Sequence, residues 1–109
     1  MIRRLIAECL GSDAYAARAI QNQDMPYSVY NVVAEEKLNA LRGQCDLEKI
    51  RYDINTFSDD YEECVNKSKA LQTKLLAFSK FKCIVFSVSE TVEDNGHTFR
   101  SRVDFTLTV

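Results

Sequence analysis

Leu47-Glu-Lys-Ile-Arg-Tyr-Asp-Ile-Asn-Thr56 decides the fold. Ile50, Tyr52, Ile54 and Thr56 fall on one side of an extended chain, and Lys49, Arg51, Asp53 and Asn55 fall on the other. That period of two marks a strand with one face in a core and one in water. A helix follows it. Ser58 or Asp59 is placed to cap that helix, Asp59 and Glu62 have capping-box spacing, and Asp59, Asp60, Glu62 and Glu63 set negative charge where the helix dipole favours it. Tyr61, Cys64, Ser68, Leu71, Leu75 and Phe78 then recur every three or four residues, with Glu63 and Lys67 as an outward i,i+4 pair, which predicts a helix over 59–78. At about 1.5 Å per residue it is roughly 30 Å long, enough to cross a sheet and return the chain parallel to the strand before it.

Downstream, Phe81 to Glu90 and Thr98 to Val109 read as a hairpin around an Asp94-Asn95-Gly96 turn signal. In the last strand Phe99, Ser101, Val103, Phe105, Leu107 and Val109 face inward, while Arg100, Arg102, Asp104, Thr106 and Thr108 face outward. A strand this regular is expected to be paired to its end. Upstream, Ile2, Leu5, Ile6, Cys9 and Leu10 outline a short amphipathic helix, with Gly11 where a C-cap belongs. Ser12 to Ala19 could add a capped turn or two, the polar stretch to Pro26 interrupts the pattern, and Tyr27 to Ala34 reads as the first strand. Glu35 to Asp46, with Gly43 as a breaker, reads as a long loop. The predicted order is α-β-β-α-β-β, an α+β two-layer sandwich: a mostly antiparallel four-stranded sheet with two helices on one face, in a single domain over 1–109.

The 109 residues allow one modest core. Lys and Arg total 14 against 16 for Asp and Glu, a net charge of −2 without a basic tail, which opposes counterion-release binding to nucleic acid. The basic N-terminus leads into an apolar stretch that Glu8 interrupts, so a cytoplasmic chain without a membrane segment is expected. Cys9, Cys64 and Cys83 fall on periodic apolar or strand positions and read as buried reduced thiols, whereas Cys45 in a polar loop is expected to react with thiol reagents.

Catalytic groupings are sparse. His97, the only histidine, follows the Asn95-Gly96 turn and reads as a solvated hairpin residue; no local signature pairs it with a cysteine nucleophile. The four acids at 59, 60, 62 and 63 are explained by the helix start without a metal, the cysteines lack close pairs, and Gly11, Gly43 and Gly96 are too isolated to cradle a phosphate. No catalysis and no cofactor are expected. The remaining feature is the outward rows Lys49, Arg51, Asp53 and Arg100, Arg102, Asp104. They suit a plain solvated face, or head-to-tail contact between copies of the chain that closes into a ring.

The short apolar N-terminal helix, Met25-Pro-Tyr-Ser-Val-Tyr30, a loop with Leu41-Arg-Gly43, the strand Glu48-Lys-Ile-Arg-Tyr-Asp-Ile54, the polar-capped helix and the closing strand Phe99-Arg-Ser-Arg-Val-Asp-Phe105 together resemble the tail completion or tail terminator proteins of long-tailed bacteriophages. The resemblance spans nearly the whole chain. It implies a structural virion protein that forms a ring, commonly a hexamer, at the head-proximal end of the tail tube after assembly in the host cytoplasm. Such a ring ends tail polymerisation and presents the surface that joins the head, so the implied partners are copies of itself, the tail tube protein and a head-connector protein. Arg51, Asp53, Arg100, Arg102 and Asp104 are then the first candidates for contacts, with Leu38, Leu41 and Arg42 next. The 35–46 loop and the 93–97 turn would project from the ring. Two other classes fit the composition: a cytoplasmic adaptor or regulatory domain that dimerises through a sheet edge, and a small nucleic-acid-binding α+β domain.

Overall fold

The computed structural model describes residues 1–16, 25–39, 46–93 and 96–109. Helix α1, Ile2–Leu10, turns Ile2, Leu5, Ile6 and Leu10 into the core. Gly11 ends it at φ 55°, a left-handed value that a side chain disfavours, and its N–H reaches the Ala7 carbonyl. The chain does not continue as helix. Gly11–Asp13 forms a single 3-10 turn, and Tyr15–Ala16 is a two-residue strand, β1.

Strands β2, Tyr27–Asn39, and β3, Asp46–Ser58, are followed by α2, Tyr61–Ala77, then β4, Lys82–Val92, and β5, Phe99–Thr108. The sheet order is β1-β2-β3-β5-β4, with β1 parallel to β2 and every other neighbouring pair antiparallel. This overturns the four-stranded, mostly antiparallel sheet in the order α-β-β-α-β-β: the sheet has five strands and is mixed. A strand of two residues, pairing Tyr15 with Val29 and Ala16 with Tyr30, is too short to show a period of two.

Two bulges shape the sheet's flanks. In β2 the register slips between Val32 and Ala34, and in β4 between Val85 and Ser87. Each lies beside the row Val32, Tyr52, Phe105 and Val85, so the two outer long strands bend at the same height. The β2 bulge also explains a second correction. Glu35 to Asn39, read from sequence as the start of a loop, continues β2 and pairs with Asp46 to Ile50. The extra residue at Val33 reverses the in-out alternation, so the charged residues beyond it stop looking like strand.

Helix α2 is capped one residue later than expected. Asp60 Oδ1 accepts from the Glu62 and Glu63 amides at 3.0 and 3.5 Å. Ser58 Oγ accepts from the Asp60 amide at 3.1 Å and donates to Glu63 Oε1 at 2.9 Å, so Ser58 and Asp60 share the capping. Cys64, Ser68, Leu71 and Leu75 form its buried face. Both helices cover one side of the sheet, and their apolar residues join Ile50, Tyr52, Ile54, Val103, Phe105 and Leu107 in one core cluster. The chain end is paired: Glu48 and Val109 exchange backbone hydrogen bonds at 3.3 and 3.0 Å. Lys74 ties α2 to Asp13 by an ion pair.

Candidate assembly surface

The face of the sheet away from the helices carries the charged rows, and antiparallel pairing of β3 with β5 decides which charges meet. Asp53 stands directly opposite Asp104, Asn55 opposite Arg102, Arg51 opposite Thr106 and Lys49 opposite Thr108. The repeated basic, basic, acidic order therefore puts the two acids together and does not pair acids with bases across strands. Two like charges directly opposite destabilise a sheet unless something neutralises them. Arg102 does so. Its Nη2 lies 3.3 Å from Asp53 Oδ2 and 3.3 Å from Asp104 Oδ1. Asn31 Nδ2 donates to Asp53 Oδ1 at 3.2 Å, and Asn55 Nδ2 does so at 3.5 Å.

This cluster is not the open charged surface that the alternation predicts. Asp53 and Asp104 are each only 8 % exposed, although they project from the uncovered side. Arg100 lies one row further along, with Nε 3.5 Å from Glu93 Oε1. That contact is an ion pair of poor geometry, since Arg100 Nε, like Arg102 Nε, is buried without a hydrogen bond. The structure thus brings Arg51, Asp53, Arg100, Arg102 and Asp104 onto one face, but Asp53, Arg102 and Asp104 serve one another there. Leu38 sits in β2, in register with Leu47, at the end away from α2's start. Leu41 and Arg42 lie outside the described residues, as do Cys45, Asp94 and Asn95.

Apolar groups that the sequence reading passed over complete the surface. Phe86, at the β4 bulge, is 47 % exposed and lies under the Arg51 guanidinium, 4.4 Å from ring centroid to Cζ. Ile84, 53 % exposed, is two residues before it. A shallow depression of about 320 Å³ lined by Ala34, Lys49, Arg51, Phe86 and Thr106 runs across this part of the face. The run Ile84-Val-Phe86 was the available signal, because three consecutive apolar residues cannot all face one core.

On the helix side a groove of about 210 Å³ opens between the start of α2 and the end of β4, lined by Tyr61, Val65, Val92 and Phe99 among others. Tyr61 packs edge-on to Phe99 at 5.6 Å, and its hydroxyl donates to Glu90 Oε2 at 2.6 Å. That hydrogen bond to a carboxylate raises the Tyr61 pKa. At Tyr52 and three cysteines the leading cause is burial. It pushes the Tyr52 phenol up to about 12 and the Cys83 thiol up to about 11, and it raises Cys9 and Cys64. The Tyr52 hydroxyl has no hydrogen-bond partner among the described residues. Among those residues no three metal-ligating side chains converge, and no helix is long and apolar enough to cross a membrane.

No family model matches this chain, and no curated protein does. Among solved structures, a chain from the virion of a native gene transfer agent particle superposes with a TM-score of 0.59 at 12 % identity, over 96 % of this chain and 84 % of that one. At such low identity the likeness establishes a shared fold.

Proposed function

We propose that this chain is a structural protein of a virion tail, which assembles with copies of itself as a ring at the head-proximal end of the tail tube, ends tube growth and offers the surface that joins the head. The observation that carries the reading is the fold shared, over 96 % of this chain and 84 % of the other, with a chain of a gene transfer agent virion. The surface supports it. Both long flanking strands carry bulges, which discourage strand addition at an edge, so the edge-to-edge dimer of an adaptor domain suits this sheet poorly. The faces, by contrast, expose Ile84, Phe86, Tyr61 and Val92 among charges, as contact patches do. The activity proposed is assembly, with neither a reaction nor a cofactor, and the partners are the chain itself, the tail tube protein and the head connector.

Removing the gene from the virus or gene transfer agent that carries it, then imaging the particles by electron microscopy, tests the proposal. Headless tails of unregulated length are expected. Normal particles, or normal tails on empty heads, would refute it.

A further inference from the structure

The molecule is 54 Å long, and exposed charges of opposite sign lie toward its two ends. Ser58, Phe99 and Val92 lie at one end of the sheet, where α2 begins. Near the Tyr61 and Val92 groove at that end stand the exposed acids Asp59, Asp60, Glu62 and Glu90, and Arg100 also lines the groove, with its Nε 3.5 Å from Glu93 Oε1. Lys49, Thr108 and Lys82 form one cross-strand row toward the opposite end, on the helix-free face, with Arg51, Thr106 and Ile84 in the next row. Among the described residues, Lys49, Arg51 and Lys82 have no ion-pair partner.

Each patch therefore has exposed apolar side chains at its centre, and the exposed charges beside it are acidic at the groove and basic at the sheet face. Tyr61 and Val92 are 50 and 55 % exposed, and Ile84 and Phe86 are 53 and 47 %. The two signs are opposite, and the patches lie on different faces near different ends of the chain. A surface cannot meet its own like-charged copy this way, but either patch can meet the other on a second molecule.

We propose that the Tyr61 and Val92 groove of one copy docks on the Ile84 and Phe86 face of the next, with Asp59 and Glu62 against Lys49 and Lys82. The inference deepens the assembly role proposed above by naming the seam, and it moves that seam away from Asp53, Arg102 and Asp104, which neutralise one another inside each subunit. The contact is heterologous, so successive copies use the same two patches in turn. Apolar centres supply the area removed from water; rim charges set direction and exclude the reversed pairing.

Two full-length variants test it by sedimentation velocity at low salt and high protein concentration, with thermal melts checking that each folds. Lys49→Glu with Lys82→Glu reverses one rim, and Asp59→Lys with Glu62→Lys reverses the other. The unaltered chain is expected to form oligomers that about 1 M salt dissociates, since the screening length there is only about 3 Å. Each folded variant alone is expected to associate at least tenfold more weakly, and an equimolar mixture to recover the oligomers, because the unaltered groove of one variant then meets the unaltered face of the other, and reversed groove meets reversed face, at alternate seams. A monomeric parent, variants that associate like the parent, or a mixture that stays dissociated would each overturn the proposal. Failure here leaves the tail phenotype as a separate result: unregulated tails with a monomeric parent would reject this seam and keep the assembly role.

Discussion

Arg102→Ala separates a fold-holding cation from an assembly contact. In the folded chain the guanidinium sits 3.3 Å from a carboxylate oxygen of Asp53 and 3.3 Å from one of Asp104, and those acids face each other across the β3–β5 ladder. At an effective dielectric of about 20, a unit pair at that distance is worth roughly 5 kcal/mol before solvation costs. The Arg102 side chain is 42 % exposed while those of Asp53 and Asp104 are 12 and 11 %, so water screens the cation far more than the acids. After discounting for that screening, loss of the cation is expected to destabilise the domain by about 2 to 3 kcal/mol, below the range for a fully buried broken pair. The melting temperature should fall by about 10 °C. Urea titration at neutral pH reads the cost, and Asp104→Asn added to Arg102→Ala should recover about 1 kcal/mol or more by removing one of the facing charges. A cost below about 0.5 kcal/mol, within ordinary surface scatter, or a double variant no more stable than the single one, would refute the shared-cation account. If the account holds, charge reversal at Arg102 reports on the domain's stability and cannot by itself locate a subunit contact.

Three further outcomes follow from local structure. Burial raises the Cys9, Cys64 and Cys83 thiols, so at pH 8 they should react slowly with a chromogenic disulfide reagent in native protein and at once in urea; rapid native labelling of all three would contradict the packing. Burial lets Tyr52 and Cys83 hold their protons to about 12 and about 11, above their ordinary values of 10.0 and 9.0. Their contribution is therefore complete below about pH 9 and is lost as pH rises toward 12, about 2 to 3 kcal/mol for each, and a urea midpoint that stays flat from pH 9 to 11.5 would reject it. Asp60→Ala removes the acceptor for two helix amides and should cost about 1 kcal/mol in urea unfolding, whereas Asp59→Ala should cost less than half of that.

The sequence is legible where one side of an element is buried and the other is not. Ile50, Tyr52, Ile54 and Thr56 are all 2 % exposed or less, as their alternation requires, and the inward row of β5 from Ser101 to Leu107 is buried likewise. Legibility fails where alternation is too short or is interrupted. β1 is two residues long, and the slips beside Val33 and Phe86 each reset the in-out pattern midway along a strand. It fails differently on the outer face. Alternation says that Asp53 and Asp104 point away from the helices, and they do, but it cannot say that register sets them opposite each other around Arg102. Which side a residue takes is encoded locally; which charges meet depends on pairing between β3 and β5, whose partnered residues are about 50 positions apart in the chain.

That distinction changes what the charged face can be used for. A residue whose charge is already neutralised inside the subunit gains little from a partner, because docking must then break or crowd an existing pair. Arg102, Asp53 and Asp104 are in that position, and so in part is Arg100 through Glu93. Of the five charged residues expected at a contact, Arg51 alone is exposed without an anionic partner among the described residues, and it lies over exposed Phe86, which the bulge in β4 brings outward. The same slip that hid β4's true pattern from the sequence thus creates the apolar centre of the patch. Because bulges also discourage strand addition along β2 and β4, the sheet's geometry favours contact through its faces and ends. A ring of the kind proposed would need two different patches per subunit, and Asp59 and Glu62 near Tyr61, with Lys49 and Lys82 near Phe86, are the charges the proposed seam would use.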